Sequence, residues 1–313
     1  MTIRVQTFIL AFLIVSSVAI TLAYNHSSPS AANRTADIAT VVSTESGAVS
    51  SIAQQQSLHR YPQRKWEVLD PQVDAEAVMI QSLDSQFPFF NYQTYKQWPI
   101  ASISKLVTAT VVAEDIGFSK HIPITEVALQ TEGLAGDLKS GEVYSAEDLT
   151  KIMLLTSSNR AATAFEEYAG GRAEFQKLLK KKLELIGMTQ TTMEDASGLS
   201  GNNRSTANDL VKLAKYLVVH HPDIIEWTRL QSYLVQPVND SHSRTVYNID
   251  SFVTDSRFLG GKTGTSPEAR QNLLAFFNFG NERLAFIMLG SNNRQEIITK
   301  LLNWVRDAYV FTQ

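Results

Sequence analysis

The feature that most constrains the fold lies near the C-terminal end. Leu273 to Phe279 is a nearly continuous apolar run, followed by a Gly280-Asn281 turn and a second apolar run, Leu284 to Leu289. Two such runs across a short Gly-containing turn read as paired antiparallel strands. The segment after them places Ile297, Ile298, Leu301, Trp304, Val305 and Ala308 at helical spacing, so an amphipathic helix closes onto the sheet. Upstream, Ala77-Val78-Met79-Ile80 starts another strand. Between these strands the rhythm is helical. A helix begins near Pro99, with Ile103, Leu106, Val107 and Val111 on one face. Others carry Leu149, Ile152 and Met153; Phe175, Leu178, Leu179 and Ile186; and Leu210, Leu213, Ala214 and Leu217. The order of elements predicts an α+β fold, an antiparallel sheet flanked by helices plus a helical lobe.

The first 63 residues read differently. Phe8 to Tyr24 is uncharged and mostly apolar behind Arg4, which suits a signal peptide or an N-terminal transmembrane anchor over 1–24. The positive leader puts the rest of the chain outside the cytoplasm, either anchored by a single pass or secreted if the leader is cut at Thr21-Leu22-Ala23 or Ser30-Ala31-Ala32. Residues 25–63 are rich in Ser, Thr, Ala, Asn and Gln without either period, which reads as a disordered polar linker. Residues 64–313 are then the globular domain.

Composition removes several function classes. With 28 basic and 31 acidic side chains among 313 residues, the net charge is -3, without the basic stripe of a nucleic-acid binder. There is no cysteine, so disulfides, iron–sulfur clusters and thiolate nucleophiles are excluded. The six histidines (26, 59, 121, 220, 221, 242) show no ligand spacing, and no metal or organic cofactor is implied. His220-His221 stands before Pro222, where imidazoles can cap a helix end. Glu166-Glu167 and Lys180-Lys181-Lys182 read as solvated helix faces.

Three short motifs can carry chemistry. In Ser102-Ile103-Ser104-Lys105 a helix sets Ser102 and Lys105 one turn apart on one face. A serine hydroxyl attacks only when a base takes its proton, and a lysine serves as that base when burial or nearby cations lower its pKa. Helix-start N–H groups beside it suit an oxyanion. In Ser157-Ser158-Asn159 a hydroxyl is placed for proton relay and an amide for gripping a peptide bond. Ser200-Gly201-Asn202 and Ser291-Asn292-Asn293 share this pattern, and each alone is as well explained by turns and caps. Gly260-Gly261-Lys262-Thr263-Gly264-Thr265 reads as an edge strand whose lysine attracts a carboxylate and whose threonines bond it, with Gly264 allowing close backbone approach. Lys139-Ser140-Gly141 mimics it but reads as a plain turn.

SxxK, SxN and KTG in that order, 55 and then 105 residues apart, are far more specific than any one of them. The chain resembles the penicillin-interacting serine enzymes, and within them the D-alanyl-D-alanine carboxypeptidases of peptidase family S11. The narrower resemblance rests on Pro99 to Ala109, Ser145 to Leu149, Ser157 to Ala162, Leu185 to Met188, Ser197-Gly198-Leu199 and Ser205 to Leu210. It spans about Val68 to Trp304. The resemblance implies the serine β-lactamase/penicillin-binding transpeptidase-like fold. It implies Ser102 as the acylated nucleophile on peptidoglycan stem peptides and β-lactams, Lys105 as general base, and Ser157 as proton relay. It further implies that Asn159 holds the substrate amide while Lys262 tunes the site. Ser102 and Thr265 would give the oxyanion-hole N–H groups, and Thr263 and Thr265 would receive the substrate carboxylate. Arg294 is a candidate for that carboxylate too; its plain alternative is a solvated helix start.

Two departures stand out. Arg160 replaces the family's usual Asp after the SxN asparagine, and Ser266 to Asn272 replaces the usual Gly-containing turn, making Arg270 a possible second cation near the carboxylate site. The rivals are a D,D-endopeptidase or a β-lactamase on the same fold, and a non-catalytic cell-wall binding module. A class A β-lactamase needs a water-activating Glu followed four residues later by Asn; Glu194 stands in the right stretch, but Gly198 occupies the Asn position.

Overall fold

The computed structural model describes residues 61–311. The expected leader and most of the expected linker lie outside the described residues. Gln63, the last linker residue, already pairs with Val310 in a two-residue ladder. Among the described residues, no helix is long and apolar enough to cross a membrane.

A five-stranded antiparallel sheet organises the domain. Its strands are β1 (Ala77–Ser82), β2 (Pro88–Tyr92), β3 (Phe258–Ser266), β4 (Arg270–Phe279) and β5 (Glu282–Ser291). Their spatial order is β3-β4-β5-β1-β2, so the KTG strand β3 is an edge. The hairpin read from sequence is β4–β5, with Phe279 opposite Glu282. Its strands are apolar on both faces because both faces are covered. Leu273, Ala275, Phe277, Phe286 and Met288 pack on the final helix through Ile298, Leu301 and Val305. Leu274, Phe276, Ala285, Ile287 and Leu289 point to the other side, into the core shared with the helical lobe.

The lobe contains α1 (Ser104–Val111), α2 (Glu126–Gln130), α3 (Ala146–Leu155), α4 (Asn159–Tyr168), α5 (Arg172–Ile186), α6 (Ala207–His220) and α7 (Pro222–Arg229), while α8 (Arg294–Ala308) backs the sheet. Every residue of α1 is buried, which suits a central helix that fixes a reactive side chain rather than an amphipathic surface helix. A 3-10 turn over Ala101–Ile103 leads into it and a π turn over Val112–Ile116 ends it, so helical winding starts at Ala101, just after Pro99. The caps follow side-chain chemistry: Ser145, Ser158 and Asn293 accept from the N–H groups of Asp148, Ala161 and Glu296 to start α3, α4 and α8.

Three charge readings are corrected. Glu166 is buried on α4, where it accepts from Ala196 N at 2.7 Å and faces Arg172. Lys182 is buried on α5 and pairs with Glu114 and Asp115 of the π turn. Periodicity alone does not show that another element brings partners to those faces. His221 does follow a helix, but its Nε2 meets the Glu114 carboxylate at 2.7 Å rather than a carbonyl.

Candidate active site

Ser102 sits in the 3-10 turn before α1, and Lys105 one turn later is wholly buried. Lys105 Nζ has three oxygen neighbours: Ser102 Oγ at 2.9 Å, Asn159 Oδ1 at 2.7 Å and the Ser197 carbonyl at 2.6 Å. Burial drives the Lys105 pKa well below its ordinary value, and the Lys262 charge pushes it further down; Asp195 opposes them. A neutral amine has two protons and one lone pair. The Asn159 and Ser197 oxygens can only accept, so they take both protons. The lone pair is left for the Ser102 hydroxyl. The three neighbours thus orient a base.

Ser157 lies between α3 and α4 with φ 59°, a left-handed conformation rare outside glycine. It turns its hydroxyl to Lys262 Nζ, 3.0 Å away, and Lys262 also donates to the Thr263 carbonyl at 2.9 Å. Burial lowers the Lys262 pKa to about 7; Asp250 raises it, and Arg294 lowers it further. Asn159 opens α4 and donates Nδ2 to the Glu132 carbonyl at 3.0 Å, so both ends of its amide are engaged. Arg160 donates to the neighbouring Thr131 carbonyl at 3.3 Å.

The strand β3 brings Lys262, Thr263, Gly264 and Thr265 alongside the nucleophile turn. Gly264 is required by the chain itself: a Cβ there would stand 2.5 Å from the Ile100 carbonyl, so the close approach expected from a ligand is made by the nucleophile segment. Arg294, at the first position of α8, reaches over β3 to Thr265 Oγ1 at 3.3 Å and the Gly264 carbonyl at 3.4 Å. It is half-buried and engaged with the strand rather than a solvated helix start; burial pulls its pKa below the ordinary value while Asp250 opposes. Arg270 is engaged elsewhere, paired with Glu76 with its guanidinium 5.1 Å above the Trp98 ring.

The structure therefore gathers Ser102, Lys105, Ser157, Asn159, Lys262 and Arg294 around one point and leaves Arg270 out. Glu194 turns to Ser200 Oγ at 2.7 Å and Asn202 Nδ2 at 2.9 Å on the surface, which leaves the water-activating role of a class A β-lactamase without its carboxylate. Among the described residues no acid or histidine cluster could hold a metal ion.

Sequence reasoning did not assign roles to Asp195, Ser197 or Gly198. Asp195 Oδ1 accepts from Ser197 N (2.7 Å), Ser197 Oγ (2.7 Å) and Gly198 N (2.6 Å), and Oδ2 accepts from Ser200 N (2.8 Å). Burial opposes its ionisation, but these donors hold its pKa below the ordinary value. The carboxylate thereby fixes the turn whose Ser197 carbonyl faces Lys105. Gly198, at φ 84°, lies so close to the nucleophile turn that a Cβ would stand 2.0 Å from the Ala101 carbonyl oxygen. A short Asp-x-Ser-Gly run was visible, but turns of that composition are common; only the fold puts this one against Ser102.

Residues 64–293 match the family model described as D-alanyl-D-alanine carboxypeptidase, Peptidase S11. A D-alanyl-D-alanine endopeptidase of Haemophilus influenzae is 35% identical over 185 residues, covering 56% of this chain and 61% of that protein. The D-alanyl-D-alanine carboxypeptidase DacC of Escherichia coli is 27% identical over 251 residues, covering 75% and 62%. The chain thus spans about three fifths of each relative's length. A crystal structure of a Mycobacterium tuberculosis D-alanyl-D-alanine carboxypeptidase superposes with a TM-score of 0.72 at 24% identity, over 80% of this chain and 99% of that one. The Streptomyces K15 DD-transpeptidase does so with a TM-score of 0.70 at 20% identity, over 77% and 100%. These two likenesses establish a shared fold.

Proposed function

The chain belongs to the D-alanyl-D-alanine carboxypeptidase family, peptidase S11, and from that premise we propose that it is a serine D,D-peptidase acting on the stem peptides of peptidoglycan. The observation that carries the reading is the surrounding of Lys105: a buried amine 2.9 Å from Ser102 Oγ and held by two further oxygens, Asn159 Oδ1 and the Ser197 carbonyl.

The steps follow from the site. Ser102 Oγ attacks the carbonyl of the terminal D-Ala-D-Ala bond as Lys105 takes its proton. The N–H groups of Ser102 and Thr265 stabilise the oxyanion. Ser157, held 3.0 Å from Lys262, relays to the leaving amine the proton that Lys105 took, giving up its own hydroxyl proton and receiving that one in its place, and D-alanine departs. Water then releases the acyl group and restores Ser102. Asn159 steadies the substrate amide. Arg294, Thr263, Thr265 and the charge on Lys262 hold the terminal carboxylate. A β-lactam enters by the same attack, its ring amide opening to leave an acyl group on Ser102.

A second reading uses the same acyl-enzyme on a cross-link between two stems, with a peptide amine as leaving group. The 35% identity to a protein named as an endopeptidase favours keeping it. We also propose that 1–24 ties the protein to the membrane as a single-pass anchor with the catalytic domain on the extracytoplasmic side. The apolar Phe8 to Tyr24 run behind Arg4 supports this.

The test is intact mass after incubation with benzylpenicillin, beside D-alanine release from a pentapeptide and scission of a cross-linked dimer. A lasting adduct on the wild type and none on Ser102→Ala is expected. No adduct and no turnover of drug or peptide would overturn the catalytic reading in favour of a binding module; drug hydrolysis without an adduct would favour a β-lactamase.

A further inference from the structure

Asp250 has no role in the mechanism above, yet it is buried beside the site. Its main-chain neighbours fix where it stands. Ile249 N donates to the Leu155 carbonyl at 3.0 Å, two residues before Ser157. On the other side, Ser251 Oγ bonds Gln295 Oε1, next to Arg294. Asp250 is thus strung between the Ser157 turn and the start of α8. Its Oδ1 caps the short 3-10 turn Ser251–Thr254 by accepting from Phe252 N at 3.0 Å. Its Oδ2 is buried and takes no hydrogen bond from any described residue.

A cap needs one oxygen, and an asparagine or serine supplies one equally well. A second, desolvated carboxylate oxygen costs free energy unless a positive charge faces it. The two elements that bracket Asp250 carry one each: the Ser157 turn bonds Lys262 Nζ at 3.0 Å, and Arg294 opens α8 beside Gln295. Burial raises the pKa of Asp250, and those two cations oppose the rise.

We propose that Asp250 is the buried counter-charge of the Lys262–Arg294 pair, a positioning residue that holds both cations in place to receive the substrate carboxylate. The substrate-facing part of this statement rests on the proposed D,D-peptidase reading; the counter-charge itself does not. The other charges around Lys262 are Arg294 of α8 and Lys105 of α1, and Asp195 acts on Lys105. α7 meets the strand through the neutral Thr228, whose hydroxyl accepts from Gly261 N at 2.9 Å. On β4 the residue opposite Lys262 is Leu274. Asp250 is thus the carboxylate that stands between the Ser157 turn, which Lys262 bonds, and the start of α8.

The sign follows. An adjacent anion favours the ammonium form, so its removal lowers the Lys262 pKa. The test uses the full chain and two variants, Asp250→Asn and Asp250→Ser, both of which keep a cap without a charge. Lys262 is titrated by NMR of isotope-labelled lysine, with its resonance identified by its loss in Lys262→Arg. Both variants should move its midpoint down by about one pH unit. The alkaline limb of benzylpenicillin acylation should move with it, and the KM for a carboxylate-ended peptide should rise more than kcat falls. An unchanged Lys262 midpoint in a folded variant overturns the proposal, whatever the activity. A moved midpoint in a protein that penicillin does not acylate leaves the counter-charge standing and defeats the peptidase reading instead.

Discussion

Replacing Gly198 by alanine should disable the nucleophile although Gly198 itself takes no part in the chemistry. The added Cβ would stand 2.0 Å from the Ala101 carbonyl oxygen, 2.4 Å from its carbon and 3.0 Å from Ser102 N. Ordinary contact between such atoms begins near 3.5 Å, so the turn or the nucleophile segment must give by about 1 Å or more. The obstacle is backbone, which cannot swing aside as a side chain would. A misplacement of about 1 Å costs on the order of 100-fold in rate, or roughly 2.7 kcal/mol of barrier. The left-handed φ of 84° at Gly198 adds about 1–2 kcal/mol against the folded state. The assay is the second-order rate of acylation by benzylpenicillin, read by intact mass, with thermal unfolding followed in parallel. A drop of about 100-fold with a melting temperature lowered by a few degrees is expected. A folded Gly198→Ala protein acylated within about threefold of the wild-type rate would refute the claim that this glycine seats the nucleophile, because the rate would then have survived the displacement.

Asp195→Ala strands the buried donors of Ser197, Gly198 and Ser200, and at about 1 kcal/mol or more for each it should cost about 3 kcal/mol in urea-unfolding experiments, with acylation falling as the Ser197 carbonyl drifts from Lys105. At Glu114 burial works against ionisation, but the hydrogen bonds from His221, Lys182 and Tyr216 win and hold its pKa at about 2. A depressed carboxylate pKa contributes stability above the unfolded value and loses it as pH falls toward the folded one. The advantage of wild type over Glu114→Gln should therefore be fully present above about pH 5, about 1.5 kcal/mol after solvent screening, and shrink toward pH 2. Urea midpoints at pH 7, 4 and 3 that differ by the same amount throughout would refute it.

The sheet and the Ser102–Lys105 pair were legible because each is written locally. Leu273 to Leu289 declares a hairpin by apolar runs around Gly280-Asn281, and Ser102 to Lys105 needs only one helical turn to bring two side chains together. What the sequence hid is written across the chain. Lys182 looked like one of three solvated lysines because its partners Glu114 and Asp115 lie 67 or more positions upstream. Asp195 and Gly198 form an ordinary-looking turn until the fold sets it beside Ala101. Arg270 looked free to bind an anion, but Glu76, from the far side of the sequence, takes its charge. In each case a residue's own neighbours in sequence gave its type of chemistry, and a distant element decided whether that chemistry was available.

The nucleophile shows what that distant placement achieves. Ala101, immediately before Ser102, has φ 47°, a conformation that alanine adopts only under constraint. The constraint comes from two sides at once. Gly264 of the strand β3 lies against the Ile100 carbonyl, and Gly198 of the lobe lies against the Ala101 carbonyl. Neither position has room for a side chain, so sheet and lobe both press backbone against the same two peptide units. Ser157 is likewise left-handed and is held by the helices on either side of it. Strain of this kind persists only where packing over-determines it. A serine whose main chain is gripped between two layers is held within 2.9 Å of Lys105 Nζ. Its reactivity is therefore a property of the whole two-layer fold, and the small residues that let the layers touch matter as much to it as the lysine does.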